Sequence, residues 1–258
     1  MSHAALQRRF RGRLSAGESL LGTFLKTPTA HATEILSGAG FDFVVIDAEH
    51  APFSRSEIDL MMLAARAGGL PAIVRVASAA PADLLNALDC GAAGVLVPHV
   101  DSAETLRGIV AHCRYRGGLR GFSNSPRAGD YGALNFADHI ANADAATAIV
   151  AMIEDPEAIE RLDAIFAVEG LTAAFIGRGD LSARLGATHV GDPAVAMLVE
   201  RIAAAAGAHG VPLIAHVGAG DDPDIARLRG LGVGAFLVAS DQGLLRQGAL
   251  AARRAFDA

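Results

Sequence analysis

The sequence predicts a single (β/α)8 barrel spanning residues 1–258. Three observations predict it. Eight short apolar runs recur along the chain, each nearly continuous in hydrophobicity, as strands buried on both faces of a parallel sheet require. A helix-patterned segment follows every run. The length of 258 residues suits one such barrel with one large core. Strict alternation repeated eight times favours closure over an open sheet. The absence of a G-x-G-x-x-G turn after the first run counts against a dinucleotide fold.

In chain order, the first run, Gly22–Leu25, leads into a helix over Ala30–Ser37. Phe43–Ile46 precedes a helix over Ser54–Ala67, where Ser54 and Glu57 have capping-box spacing. Ala72–Val76 precedes Pro81–Leu88, and Gly94–Val97 precedes Ser102–His112. Ala148–Ile153 precedes Pro156–Val168, whose Asp155-Pro156 is a helix-start signal. Ala173–Ile176 precedes Pro193–Ala208, opened by Asp192-Pro193. Pro212–Val217 precedes Asp222–Leu231, and Ala235–Ala239 precedes Gln242–Phe256. Glycine-containing turns before most strands supply helix caps. One stretch breaks this rhythm. Residues 115–142, rich in Gly, Arg, Ser and Asn, form a long connection of the kind that is more often functional than idle.

Composition narrows the function. Apolar residues make up 52% and charged residues 19%, the signature of a globular chain. A net charge of −6 argues against a nucleic-acid partner, which needs a basic face. The Arg8–Arg13 cluster reads as a solvated N-terminal helix. Cys90 and Cys113 form neither a zinc motif nor a disulfide framework, so a reducing cytoplasm is expected. No signal peptide or membrane span is expected.

In a closed barrel the strand ends converge on one rim, and the active site sits there. Ionisable groups end almost every run: Asp47, Glu49 and His50; Arg75; His99; Glu154 and Asp155; Arg178 and Asp180; His216; Asp241. Two carboxylates at adjacent strand ends, Glu154 and Asp180, repel unless a cation or proton lies between them. A hard divalent cation suits them, and helix capping explains them equally well. Arg75 at the end of Ile-Val-Val needs an anionic or carbonyl partner, from a substrate or a neighbouring acid. His50 stands where a general base could work or where a loop histidine bonds a carbonyl. His99 and His216 read as bonded loop histidines.

Residues 40–52, Gly-Phe-Asp-Phe-Val-Val-Ile-Asp-Ala-Glu-His-Ala-Pro, resemble the signature of the HpcH/HpaI family of class II aldolases. Ile73-Val74-Arg75-Val76, Gly94 to Pro98, Ile153-Glu154 and Phe175-Ile176-Gly177 with Asp180-Leu181-Ser182 follow in the family's order. The resemblance runs from about Gly22 to the last strand. It implies a (β/α)8 barrel, usually hexameric, acting on a small-molecule 2-oxo acid and an aldehyde. It implies a divalent metal, Mg²⁺ or Mn²⁺ and on occasion Co²⁺, held by Glu154 and Asp180. The amides of Gly179 and Asp180 would receive the substrate carboxylate. Arg75 would face the keto oxygen, His50 would be the base oriented by Asp89, and Asp47 would belong to the surrounding polar shell. Arg120-Gly121 in the long connection resembles the family's loop near the site.

The implied reaction is reversible cleavage of a 4-hydroxy-2-oxo acid through a stabilised enolate. No Schiff-base lysine is then required, and Lys26 is the only lysine in the chain. Arg178, Gly179 and Met152 depart from the family pattern, in which Pro, Ala and Gln are common. Arg178 would recruit a second acidic group or point into solvent. Phe122–Tyr131 and His216 also look particular to a subgroup. Two rivals remain: a citrate-lyase-like enzyme acting on CoA thioesters, and a non-catalytic barrel that binds a 2-oxo acid. A phosphate-sugar barrel enzyme is a further alternative.

Overall fold

The structure is a computed structural model and describes residues 2–257. It opens with helix α1 (His3–Ser15), capped by the Ser2 hydroxyl, and then enters the barrel. β1 (Leu20–Leu25) is followed by α2 (Ala30–Gly38), β2 (Phe43–Asp47) by α3 (Arg55–Gly68), and β3 (Ala72–Arg75) by α4 (Pro81–Asp89). β4 (Gly94–Val97) leads to α5 (Ala103–Cys113), and then, past the long connection, to α6 (Phe136–Ala146). β5 (Ala148–Ile153) is followed by α7 (Leu162–Phe166), and β6 (Ala173–Ile176) by α8 (Arg178–Leu185) and α9 (Pro193–His209). β7 (Leu213–Val217) precedes α10 (Asp224–Gly230), and β8 (Val233–Ser240) precedes α11 (Asp241–Phe256). The eight strands close in sequence order, all parallel, with β8 pairing back onto β1.

Two apolar layers hold the barrel. Inside it, Phe24, Phe43, Val45, Ile73, Leu96 and Phe175 fill the lumen with others of their kind. α1 closes the amino-terminal end by inserting Phe10, whose ring lies 5.2 Å from that of Phe43. The lumen tolerates little extra volume: a Cβ at Gly22 would stand 2.7 Å from both Phe43 and Leu237. Outside the barrel, alternate strand residues such as Val44, Val74, Val95 and Ile153 pack beneath the helices. Alternation of inner and outer layers on strands with no solvent face explains the unbroken hydrophobicity of the runs.

The elements differ from expectation in three places. The long connection contains a 3-10 turn over Arg127–Gly132, with Asp130 and Tyr131 at positive φ, followed by α6. It is tied down by Asp144, which accepts from the amides of Tyr115 and Arg116, and by the packed rings of Tyr115, Phe122 and His139. The helix expected over Pro156–Val168 is a 3-10 turn followed by α7, because Arg161 at φ −122° leaves the helical path. α8 is an extra helix directly after β6. Its Gly179 and Asp180 are poor interior helix formers, but they occupy the first turn, where dipole and capping favour such residues.

Candidate active site

The register of β2 against β3 sets Asp47 opposite Arg75 at the carboxyl rim. Arg75 donates to Asp47 as a fork, Nε to Oδ1 at 2.8 Å and Nη2 to Oδ2 at 2.6 Å. Both side chains are buried, and the guanidinium lies 4.7 Å from the ring centroid of Phe24. Lys26 Nζ, 3.2 Å away, and the amide of His50 add to Asp47. Burial alone would raise the Asp47 pKa; the Arg75 fork overcomes it and, with the His50 amide and Lys26, holds the carboxyl below its usual value. The fork spends two guanidinium nitrogens and leaves Nη1 without a hydrogen-bond partner among the described residues.

Across the mouth, Glu154 follows β5 and is 1% exposed. Its Oε1 accepts from the amide of His99 at 2.8 Å. Gly177 lies beside it so closely that a Cβ there would stand 2.4 Å from the Glu154 Cβ. Burial pushes the Glu154 carboxyl up to about 7, and Asp180 and Glu49 push the same way. The His99 amide and ring oppose the rise. Asp180 is the third residue of α8. Among the described residues, the amides of Gly179 and Asp180 have no hydrogen-bond partner and stand free in the first turn.

Glu49, His99 and Glu154 each bring a potential ligand atom within 4.8 Å of the others. The buried Glu49 Oε2 has no hydrogen-bond partner. Two carboxylates and an imidazole gathered at the rim, one carboxylate with an orphaned buried oxygen, fit a divalent cation. Glu154 and Asp180, with Glu49 and His99 beside Glu154, could hold it. Glu49 and His99 were not singled out as ligands from sequence. Their signal was present, since both stand at strand ends, but a lone loop histidine carries little weight until the fold supplies its neighbours.

Lys26, His50, Arg75, Gly179 and Asp180 line one cavity of about 660 Å³ at this rim, and Met152 and His216 also face it. The His50 side chain is 53% exposed, with Nε2 3.6 Å from Glu49 Oε2. Asp89, in contrast, sits at the end of α4, where Arg120 and Arg55 approach it at 3.5 and 3.9 Å. No hydrogen bond joins it to His50 among the described residues. Arg178 does not point into solvent. It is buried, paired with Asp224, and donates to the His216 carbonyl at 2.6 Å. His216 in turn pairs Nε2 with the Ala239 carbonyl, and burial lowers its pKa.

A closed parallel barrel whose carboxyl rim joins an arginine, converging acids and the first-turn amides of a helix has the architecture of a (β/α)8 enzyme. Residues 20–247 match the HpcH/HpaI aldolase/citrate lyase family model. The chain is 32% identical over 252 residues to the 5-keto-4-deoxy-D-glucarate aldolase of Shigella dysenteriae, covering 95% of each chain. A solved HpcH/HpaI family protein from Burkholderia cenocepacia superposes with a TM-score of 0.90 at 28% identity, covering 97% of this chain and all of that one. The structure of the citrate synthase SbnG superposes at 0.85 with 32% identity, covering 96% of each. The chain belongs to the HpcH/HpaI aldolase/citrate lyase family. It is a carbon–carbon lyase of the aldolase type.

Proposed function

We propose that this protein cleaves a 4-hydroxy-2-oxo acid to pyruvate, or a related 2-oxo acid, and an aldehyde, with a divalent metal held by Glu154 and Asp180. The observation that carries the reading is the convergence of Asp180, Arg75 and His50 on one cavity, with the Asp180 charge acting on the neighbouring Glu154 carboxyl. A bound Mg²⁺, Mn²⁺ or Co²⁺ would supply Lewis-acid stabilisation of the charge that develops on the keto oxygen. The chain's own groups account for the rest. The free amides of Gly179 and Asp180 receive the substrate carboxylate. Arg75, fixed by Asp47, offers Nη1 to the keto oxygen as it gains charge. His50 takes the proton of the C4 hydroxyl, the C3–C4 bond breaks, and its electrons pass into the enolate. The aldehyde leaves, and a proton returned to C3 gives the methyl group.

We read residues 1–258 as one domain in which the 115–142 connection serves the site. Its Arg120-Gly121 pair resembles the family's loop near the site, and Arg120 approaches Asp89 at 3.5 Å. Assembly into a homo-oligomer, a hexamer by resemblance, is supported by α11. No residue of that helix is buried among those described, and Leu245 and Phe256 are 76% and 83% exposed. A cytoplasmic setting agrees with the two unpaired, buried cysteines, of which Cys113 is pushed up to about 12 by burial. No helix of the described residues is long and apolar enough to cross a membrane.

The relatives' names make 5-keto-4-deoxy-D-glucarate the first substrate to try. The likeness to the citrate synthase SbnG supports a second reading, in which the same site serves a citrate-type substrate. The decisive experiment follows deuterium entry into the pyruvate methyl group in D₂O by NMR. We expect exchange with Mg²⁺ or Mn²⁺ and none after chelation. Absence of exchange with every divalent ion tried, on folded protein, overturns the pyruvate reading.

A further inference from the structure

His99 stands at the end of β4 in a conformation its residue type rarely adopts, with φ +54°. Its amide donates to Glu154, which fixes the backbone, and the ring extends over the acidic rim. Nδ1 lies 3.1 Å from Asp155 Oδ2. The other Asp155 oxygen accepts from Arg184 Nη1 at 2.9 Å, so this carboxylate is itself oriented. With the proton on Nδ1 donated to Asp155, the Nε2 lone pair is free, and it faces Glu49 Oε1 at 3.9 Å. Nδ1 is 3.5 Å from Glu154 Oε1, so the ring is flanked by both carboxylates.

A carboxylate that orients one imidazole nitrogen so that the other can bind metal is the usual outer-shell arrangement of histidine ligands. Donor atoms about 2.1 Å from a shared ion lie up to about 4.2 Å apart, a span that includes the 3.9 Å between His99 and Glu49. We propose that His99, through Nε2 and beside Glu49, is a nitrogen ligand of the metal centre, and that it biases the site towards borderline transition-metal ions over Mg²⁺. This rests on the assignment of the metal to Glu154 and Asp180. An imidazole adds more to the binding of Co²⁺ or Zn²⁺ than to that of Mg²⁺, which prefers oxygen.

The test is calorimetric titration of the metal-free full-length protein with Co²⁺ and with Mg²⁺, together with the visible absorption spectrum of the Co²⁺ form. His99→Ala, whose side chain is 58% exposed in the parent, should keep the parent's melting profile. It is expected to weaken Co²⁺ binding at least tenfold, weaken Mg²⁺ binding less than threefold, and change the Co²⁺ spectrum. Equal weakening of both ions, or an unchanged Co²⁺ affinity and spectrum, overturns the proposal. Glu154→Ala separates the two levels of inference. If it abolishes binding of both ions while His99→Ala does nothing, only the nitrogen ligand is lost. If both ions still bind to Glu154→Ala, the metal assignment itself fails.

Discussion

The Asp47–Arg75 fork is a buried two-point contact at the rim, and it has a cost if broken. Both partners are buried, so truncating one leaves an uncompensated charge inside the protein. Asp47→Ala is expected to lose about 3–5 kcal/mol of stability, as breaking buried pairs typically does. Denaturant titration would read this, and a change below about 1 kcal/mol would show that the arginine finds another partner, such as Glu49. Because the folded pKa of Asp47 is depressed, the ionised form is the one folding favours. Its stabilising contribution is therefore complete above the usual value of 3.8 and is lost as pH falls through the lower, folded value. Stability difference curves between the parent and Asp47→Ala should converge only in that acid window. The fork was half legible in the sequence. Arg75 at the end of an apolar run demanded an anion, but whether substrate or neighbour supplied it depended on a register that only pairing of the strands reveals.

Among elements, α8 decides most. It begins immediately after β6, and Gly177 lets it pass against Glu154 without a side chain between them. Gly177→Ala places a methyl group 2.4 Å from the Glu154 Cβ, so one of the two must move. The expected result is at least a tenfold loss of divalent-metal affinity with circular dichroism unchanged; equal affinity would mean that the carboxylate position is not critical. All eight strands could be found in the sequence, because a run buried on both faces leaves no polar interruption. α6 and α8 could not. The first lies in a segment rich in loop-forming residues, and its position depends on Asp144 closing the connection. The second starts with Arg-Gly-Asp, a poor helical prelude that is tolerated because a first turn asks for free amides and negative charge.

At the scale of the molecule, α11 packs Leu244 against the core but leaves Leu245 and Phe256 largely exposed. Light scattering on the intact protein is expected to give a mass several times 26.4 kDa. A strictly monomeric protein at micromolar concentration would leave Leu245 and Phe256 without a reason to be apolar. Of the site residues obtained by resemblance, His50, Arg75, Gly179 and Asp180 line one cavity, whereas Asp89 lies among the arginines Arg55 and Arg120. Spacing along a sequence says which strand end a residue follows. It does not say which neighbour claims that residue once the helices are packed.

Lys26 is the only lysine in the chain, and it stands on the wall of the cavity with its amine 3.2 Å from Asp47. An amine-selective acylating reagent therefore meets just two targets in the whole molecule, this side chain and the α-amino group. Bulk modification, which on most proteins spreads over the surface, becomes here a reporter of cavity occupancy once labelling of the α-amino group is read separately from that of Lys26. A fluorophore attached there would sense ligand entry directly, and protection from labelling would rank candidate substrates before any product assay exists.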